Sequence, residues 1–513
     1  MFPKNNTKID MKKNMILAFN RVVLTVGFLL TGCFFAQAQT FIGTMGNQLW
    51  SDSGNWLDGL MPNSESSYVT ISADVIVDQN VNIGTLYNSG NFSLTVKEGY
   101  TLTANASIIW GDENDFILED KAQLVCPTPV KVTAKKKIFA DDHLWNLIAS
   151  PVEDDITPSI ENGFLTEPET GYALYSFDQA TAQWNDFKES PFVIEKGRGY
   201  LYANALDTTL LFEGKTIGTL AECGLSYHAS NGALAGCNVI GNPLPCNAFV
   251  GRSYYFFSEV GNSMIAVPFS MGRPITPCTG IIVQSKGIED ATVRFDNGVF
   301  EQPDENRGYI EITATKSDTP TEILDQALLS FNAGDDLAKY QFFEDTPWVY
   351  FTKDDQDLAV LSIDSVDALP LKFKAEENGS YTLHFDLKEL NLNYLHLIDN
   401  IAGVNHNLLN TPDYTFSAQV NDYALRFKMV FDPHYGVEEF GNKAFAYYAD
   451  GMINIVEAQD VASLQMIDMT GRVVISRVGD ATNRISTEGL APGIYLLRLN
   501  NGNAVKTQRI VIE

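Results

Sequence analysis

From Thr40 onward the apolar residues of this 513-residue chain recur with a period of two, in short runs cut by Gly, Asn and Asp. Val69–Ile71, Val75–Val77, Ser93–Val96, Tyr309–Thr313, Tyr381–Phe385 and Tyr423–Phe427 all follow this pattern. Successive side chains of a strand point to opposite faces, so such runs bury one face and wet the other. A helix needs a period near 3.6 instead. Few segments keep that helical period, and β-branched and aromatic residues fill the runs, which specifies an all-β chain. The length and a 45% hydrophobic content exceed what one core uses, so several β domains are expected.

Four regions follow from the pattern. Residues 40–125 open with W-x5-W-x5-P (Trp50, Trp56, Pro62) and continue as closely spaced short strands, which predicts a small β-solenoid. The tryptophans have two readings, a buried cap on the first rung or an exposed platform for sugars, and capping is preferred. Residues 144–298 contain a duplication. Trp145–Pro151 and Cys237–Pro243 share x-N-(L/V)-I-x-x-P, Tyr172–Asp178 answers Ser253–Glu259, Ile194-x4-Gly199 answers Ile275-x4-Gly280, and Leu210–Gly214 answers Val293–Asn297. The offset is 92 residues at the first motif, 81 at the third and 83 at the last, as expected of two copies with one shortened loop. The Asn of the motif reads as a strand-ending turn residue. Residues 300–433 alternate through enough strands for an immunoglobulin-like sandwich. Asp432–Asn442 reads as a linker to a final unit over 445–513.

That final unit alternates over Met452–Val456, Leu464–Asp468, Arg472–Ile475, Ile494–Leu499 and Gln508–Ile512, with turns at Thr470-Gly471 and Pro492-Gly493. Its order is D-x-x-G-R-V-V from Asp468, L-x-P-G-I-Y-L-L-R-L from Leu490, then K-T-x-R-I-V-I from Lys506. This resembles the C-terminal sorting domain, a β-sandwich, of cargo of the type IX (Por) secretion system of Bacteroidetes. The resemblance implies a partnership with the secretion and sorting machinery, export across both membranes, removal of the domain, and attachment to the surface or release. It implies that Gly471, Gly493 and the last strand, with Lys506, Ile510 and Val511, carry recognition; the same residues make the turns and the strand. The phrases W-N-L-I-A-S-P and G-R-G-Y-L-Y-A-N resemble a module found before such sorting domains. N-G-S-Y-T-L-H-F with Y-A-L-R-F-K-M-V-F resembles an immunoglobulin-like sandwich of such cargo. Neither resemblance brings a catalytic residue.

The N-terminus agrees. Lys12 and Lys13 precede the apolar run Val22–Phe35, and Ala36-Gln37-Ala38 offers a small-x-small cleavage site, so residues 1–38 read as a signal peptide cut between Ala38 and Gln39. Leu30-Thr31-Gly32-Cys33 also resembles a lipoprotein box, in which Cys33 would be the anchored first residue. The run is too short for a spanning helix and no other stretch is longer, so no transmembrane segment is expected in the mature chain.

Loss of residues 1–38 removes five positive charges and one negative, taking the net charge from −29 to −33. Such a surface repels nucleic acid and anionic lipid, and neither is expected as a partner. Cys223, Cys237, Cys246 and Cys278 are disulfide candidates in an exported protein, with Cys126 left over. Cys223, His228, Cys237 and Cys246 lack the close spacing of a zinc site, so no metal or cofactor is expected. No nucleophile elbow, H-E-x-x-H or P-loop occurs, and the six histidines are scattered. A pair of carboxylates brought together only in space would escape a sequence reading. The expectation is a non-catalytic, adhesin-like binding protein whose ligand is an extracellular protein or glycan. The alternatives are a glycan-binding or glycan-active protein using Trp50, Trp56, Trp110, Tyr200 or Tyr202, and a structural surface-layer component.

Overall fold

The computed structural model describes residues 38–140, 145–167, 170–258, 264–298, 308–331, 336–340, 346–433, 446–449, 451–455, 463–478, 484–500 and 505–512. The leader through residue 37, Cys33 and most of the expected linker lie outside these residues. The architecture is β throughout, in several sheets.

The first unit is built of stacked parallel rungs. Ala38–Phe41, Tyr68–Ile71, Val81–Asn88, Thr101–Ile109 and Gln123–Val125 form one parallel sheet. Val75–Val77, Leu94–Val96, Phe116–Leu118 and Lys131–Ile138 form most of a second. Alternation puts equivalent apolar residues in columns, such as Val69, Leu86 and Ile108 in the first sheet and Val77, Val96 and Leu118 in the second, all buried. Trp50 and Trp56 close the first rung from within, their rings 4.8 Å apart and edge-on. Trp56 Nε1 donates to the Trp50 carbonyl at 2.9 Å. The last rung is covered by the second copy of the duplicated unit. Leu124 donates its N–H to Pro245 O at 2.8 Å, and Asn247 donates its own to Gln123 Oε1 at 2.9 Å.

The two copies have the same sheet order. Asn146–Ala149, Gly199–Ala203, Ala173–Asp178 and Gln183–Asp186 lie side by side in that sequence in one copy. Cys237–Gly241, Gly280–Gln284, Tyr254–Phe257 and Met264–Val267 do so in the other. Each copy also has an antiparallel pair that begins upstream of the repeated motif: Lys131–Ile138 with Thr208–Lys215, and Leu220–Gly224 with Thr292–Asp296. The copies meet across a reciprocal seam. Ala149 N–H donates to Cys278 O at 3.2 Å, and its counterpart Gly241 N–H donates to Gly197 O at 3.1 Å. Bridges join Ile148 to Thr279 and Ile240 to Arg198, again the same pair of positions exchanged. That exchange defines an approximate two-fold axis. Close approach demands glycine on both sides: a Cβ on Gly199 would lie 2.6 Å from Ile240 O, and one on Gly280 would lie 2.8 Å from Leu147 Cγ. Asn238 stands at the start of its strand rather than ending it, and its buried amide holds the backbone that leads in, donating to Gly236 O and Ser226 O.

The described residues of 308–433 form one hydrogen-bonded sheet of eleven strands over a core that includes Ile312, Leu329, Phe351, Phe373, Phe385 and Phe427. Strand Trp348–Lys353 pairs with both Gln356–Ile363 and Ala368–Lys374, so hydrogen bonding runs unbroken between the two faces of the sandwich. The second copy docks on this body: Tyr255 donates its hydroxyl to Ala338 O at 2.7 Å, within a core shared by Cys237, Val239, Leu328 and Val360.

Candidate functional site

The C-terminal residues close a small sandwich. Ala446–Ala449, Met452–Ile455 and Arg484–Ser486 form one sheet; Val473–Val478, Ser463–Asp468, Gly493–Asn500 and Val505–Ile512 form the other. Alternation sends Leu464, Met466, Tyr495, Leu497, Leu499, Ile510 and Ile512 into the core between them. The D-x-x-G-R phrase is a self-contained hairpin turn. Asp468 Oδ1 accepts from the Thr470 hydroxyl at 2.6 Å, Thr470 N–H at 3.0 Å and Arg472 N–H at 3.1 Å; Oδ2 accepts from Arg472 Nε at 3.1 Å. These donors, the Thr470 hydroxyl first, hold the Asp468 carboxyl down at about 2. Gly471 completes the turn at φ 85°, a conformation that favours glycine.

Four of the five residues expected to carry recognition gather at one end of the four-stranded sheet. Asp468, Tyr495 and Ile510 stand in one row; Gly493 faces Ile512 and Ile494 faces Val511 immediately beyond it. The Gly471 turn extends from the same row. Ile510 points into the core, while Val511 is 46% exposed, as is much of its neighbourhood: Met469, Val473, Ile494 and Leu496. Lys506 sits at the other end, opposite Leu499. That end is the one near the preceding sandwich, where Arg498 approaches Gly403. Gln508 ties the first strand of the unit to the last: its side-chain amide accepts from Ala446 N–H at 3.0 Å and donates to Ala446 O at 2.5 Å.

The other residues singled out from the sequence are dispersed. Ala38 and Gln39 begin the first strand, in register with Tyr68 and Val69. The expected bridges among Cys223, Cys237, Cys246 and Cys278 do not form, and these and Cys126 are free, buried thiols. Closeness in sequence misled here, because the four fall in three separate cores: Cys223 and Cys246 share one, Cys237 lies in another and Cys278 in a third. Burial pushes these four thiols up to about 12, so they stay protonated. The separation also pulls Cys237 away from the zinc set weighed with His228. His384 Nδ1 meets Asp413 at 2.6 Å and His396 Nδ1 meets Asn405 at 2.7 Å, both on exposed strand faces; His143 and His434 lie outside the described residues. Trp50, Trp56, Tyr200 and Tyr202 are buried, and Trp110 packs half-buried on Phe116. The sequence reading missed the Gln508 tie and the seam between copies. The matched offsets of the duplication were the one signal that pointed to the seam.

No curated relative matches the chain. A family model, the secretion system C-terminal sorting domain, matches residues 449–513, which take in the sandwich just described from the end of its first strand. The chain therefore carries a C-terminal sorting domain of the type IX secretion system, interacts with that machinery, and is exported to the cell surface or secreted.

Proposed function

We propose that the exported chain is a non-catalytic, adhesin-like binding protein, and that its terminal sandwich is a removable address read at the Gly471–Gly493–Val511 end. The observation that carries this reading is the sorting domain joined to β units that pack core to core. An exposed cluster of Met469, Val473, Ile494, Leu496 and Val511 on so small a unit supports the choice of that end, since such patches mark contact surfaces. The ligand is an extracellular protein or glycan. The glycan alternative gains nothing from Trp50, Trp56, Tyr200 or Tyr202, whose faces are packed inside.

Intact mass and terminal peptide mapping of protein recovered from the producing cell test the delivery half. A surface or released form that starts at Gln39 and ends before the sorting domain is expected, and deletion of 449–513 or the exposed-face change Val511→Lys should retain the chain inside. A surface form that starts at an acylated Cys33 and ends at Glu513 overturns removal of the address. The binding half is tested on polysaccharide and peptide libraries: turnover lost on mutating one acidic pair would make the chain an enzyme, and self-assembly without ligand binding would make it a structural component.

A further inference from the structure

The seam of the duplicated unit holds two clefts, one on each side of the approximate two-fold axis. The first, about 90 Å³, is lined by Lys136, Trp145, Tyr254, Phe256, Arg273 and Thr276 among others, and no Asp or Glu lies among its described lining residues. The second is wider, about 680 Å³, and mixes Glu153, Asp178 and Glu222 with Lys196 and Arg198. The clefts are counterparts. Leu210 faces Lys136 across one antiparallel pair, and its equivalent Val293 faces Cys223 across the other, so Cys223 stands where Lys136 does. The offset of 81 that relates Ile194 to Ile275 puts Phe192 in the place of Arg273. The same backbone therefore forms without either cation, and the fold does not require them.

Their surroundings do not explain them either. Lys131, Lys135 and Lys137 on the same strand pair with Glu213, Glu119 and Glu98 at 2.7, 3.0 and 2.6 Å. Lys136 faces the cleft, and neither it nor Arg273 has a carboxylate partner among the described residues. Arg273 lies flat over Phe256, its guanidinium 3.7 Å from the ring centroid, which leaves its N–H edge for a planar anion. Thr276 and Thr279, hydrogen-bonded to each other at 2.8 Å, add hydroxyls to the wall.

We propose that this cleft binds a terminal acidic sugar, with its carboxylate on Lys136 and Arg273 and its ring against the aromatic wall. Two cations with no carboxylate partner among the described residues, in a chain of net charge −29, select an anion. The same negative field repels an extended polyanion but hardly affects a single carboxylate held inside a cleft. A peptide C-terminus is captured by converging backbone N–H groups, whereas these walls offer side-chain cations and rings. The proposal rests on reading the chain as a binding protein and names its ligand class.

Calorimetric titration of the surface-recovered chain with N-acetylneuraminate, glucuronate, neutral glucose and a tripeptide with a free C-terminus tests it. An acidic sugar should bind, glucose should not, and Arg273→Gln and Lys136→Met should each weaken binding by roughly tenfold or more, the loss of one charge-assisted hydrogen bond. Arg273 is solvent-exposed, so its variant should melt with the parent and serves if Lys136→Met fails to fold. Equal binding of glucose, binding of the tripeptide alone, or no acidic-sugar binding by folded protein overturns the assignment. If the chain still adheres to protein matrix while acidic sugars do not bind, the adhesin reading stands and this cleft is not its site. Adhesion to nothing removes the broader reading as well.

Discussion

Asp399 and Arg426 form an ion pair that water does not reach. Arg426 Nη2 donates to Asp399 Oδ2 at 2.7 Å, Nε lies 3.1 Å from both carboxylate oxygens, and the Tyr414 hydroxyl donates to Oδ2 at 3.0 Å. Removing one partner leaves a bare buried charge, so Arg426→Met should cost about 3–5 kcal/mol in denaturant unfolding, partly recovered by adding Asp399→Asn. Two positions on, burial lowers the Lys428 amine to about 8 against an ordinary 10.5. The unfolded chain then holds more protons between those values, so this lysine penalises the fold below pH 8 and the penalty fades as pH rises toward 10.5. The four buried thiols, held protonated only in the fold, cost stability over the same range in the parent and in Lys428→Met alike. The check is the difference between the two proteins: from pH 8 to 10 the unfolding midpoint of Lys428→Met should fall more steeply than that of the parent. Alternation made the strand around Phe427 legible. It could not pair Arg426 with an aspartate 27 residues earlier, because strand partners are set by topology rather than by spacing.

At the level of elements, the seam strands are the test of the duplication. Gly199→Ala and Gly280→Ala should each destabilise by about 1–3 kcal/mol, since the added methyl meets backbone or a packed leucine on the other copy. Gly224→Ala, with open space around it, should change stability by no more than about 0.5 kcal/mol, and thermal melts of the three variants decide. The order of the motifs made the repeat readable without a structure. The first strand of each copy was not readable, because Lys131–Ile138 presents so many lysines that its buried face, Val132, Ala134 and Ile138, looks like a charged loop. Lys131, Lys135 and Lys137 are neutralised by Glu213 on the paired strand and by Glu119 and Glu98 in connections of the solenoid, which no local pattern reveals. Cysteine spacing failed for a related reason: neighbouring strands of one copy feed different cores.

For the whole molecule, regions that look separate in sequence share interiors. One core runs from Phe41 in the first rung to Phe212 and Cys278 in the duplicated unit, and Pro245 and Asn247 cover the solenoid's last rung. Residues 38–298 should therefore unfold in a single calorimetric transition, and residues 38–125 alone should fail to fold for want of a cover. The sorting domain has a core of its own, from Ala446 to Ile512, and is expected to melt separately. Its tie through Gln508 has a consequence for the order of events during synthesis. The first strand of the address is fastened by a residue of a strand that follows it by some sixty residues, so a chain cut short of Gln508 lacks that fastening. Products that stop after Asn500 should carry every earlier unit intact and still be withheld, which fractionation of cells expressing such a truncation would reveal. Withholding of that truncation would make the tail a proofreading mark as well as an address.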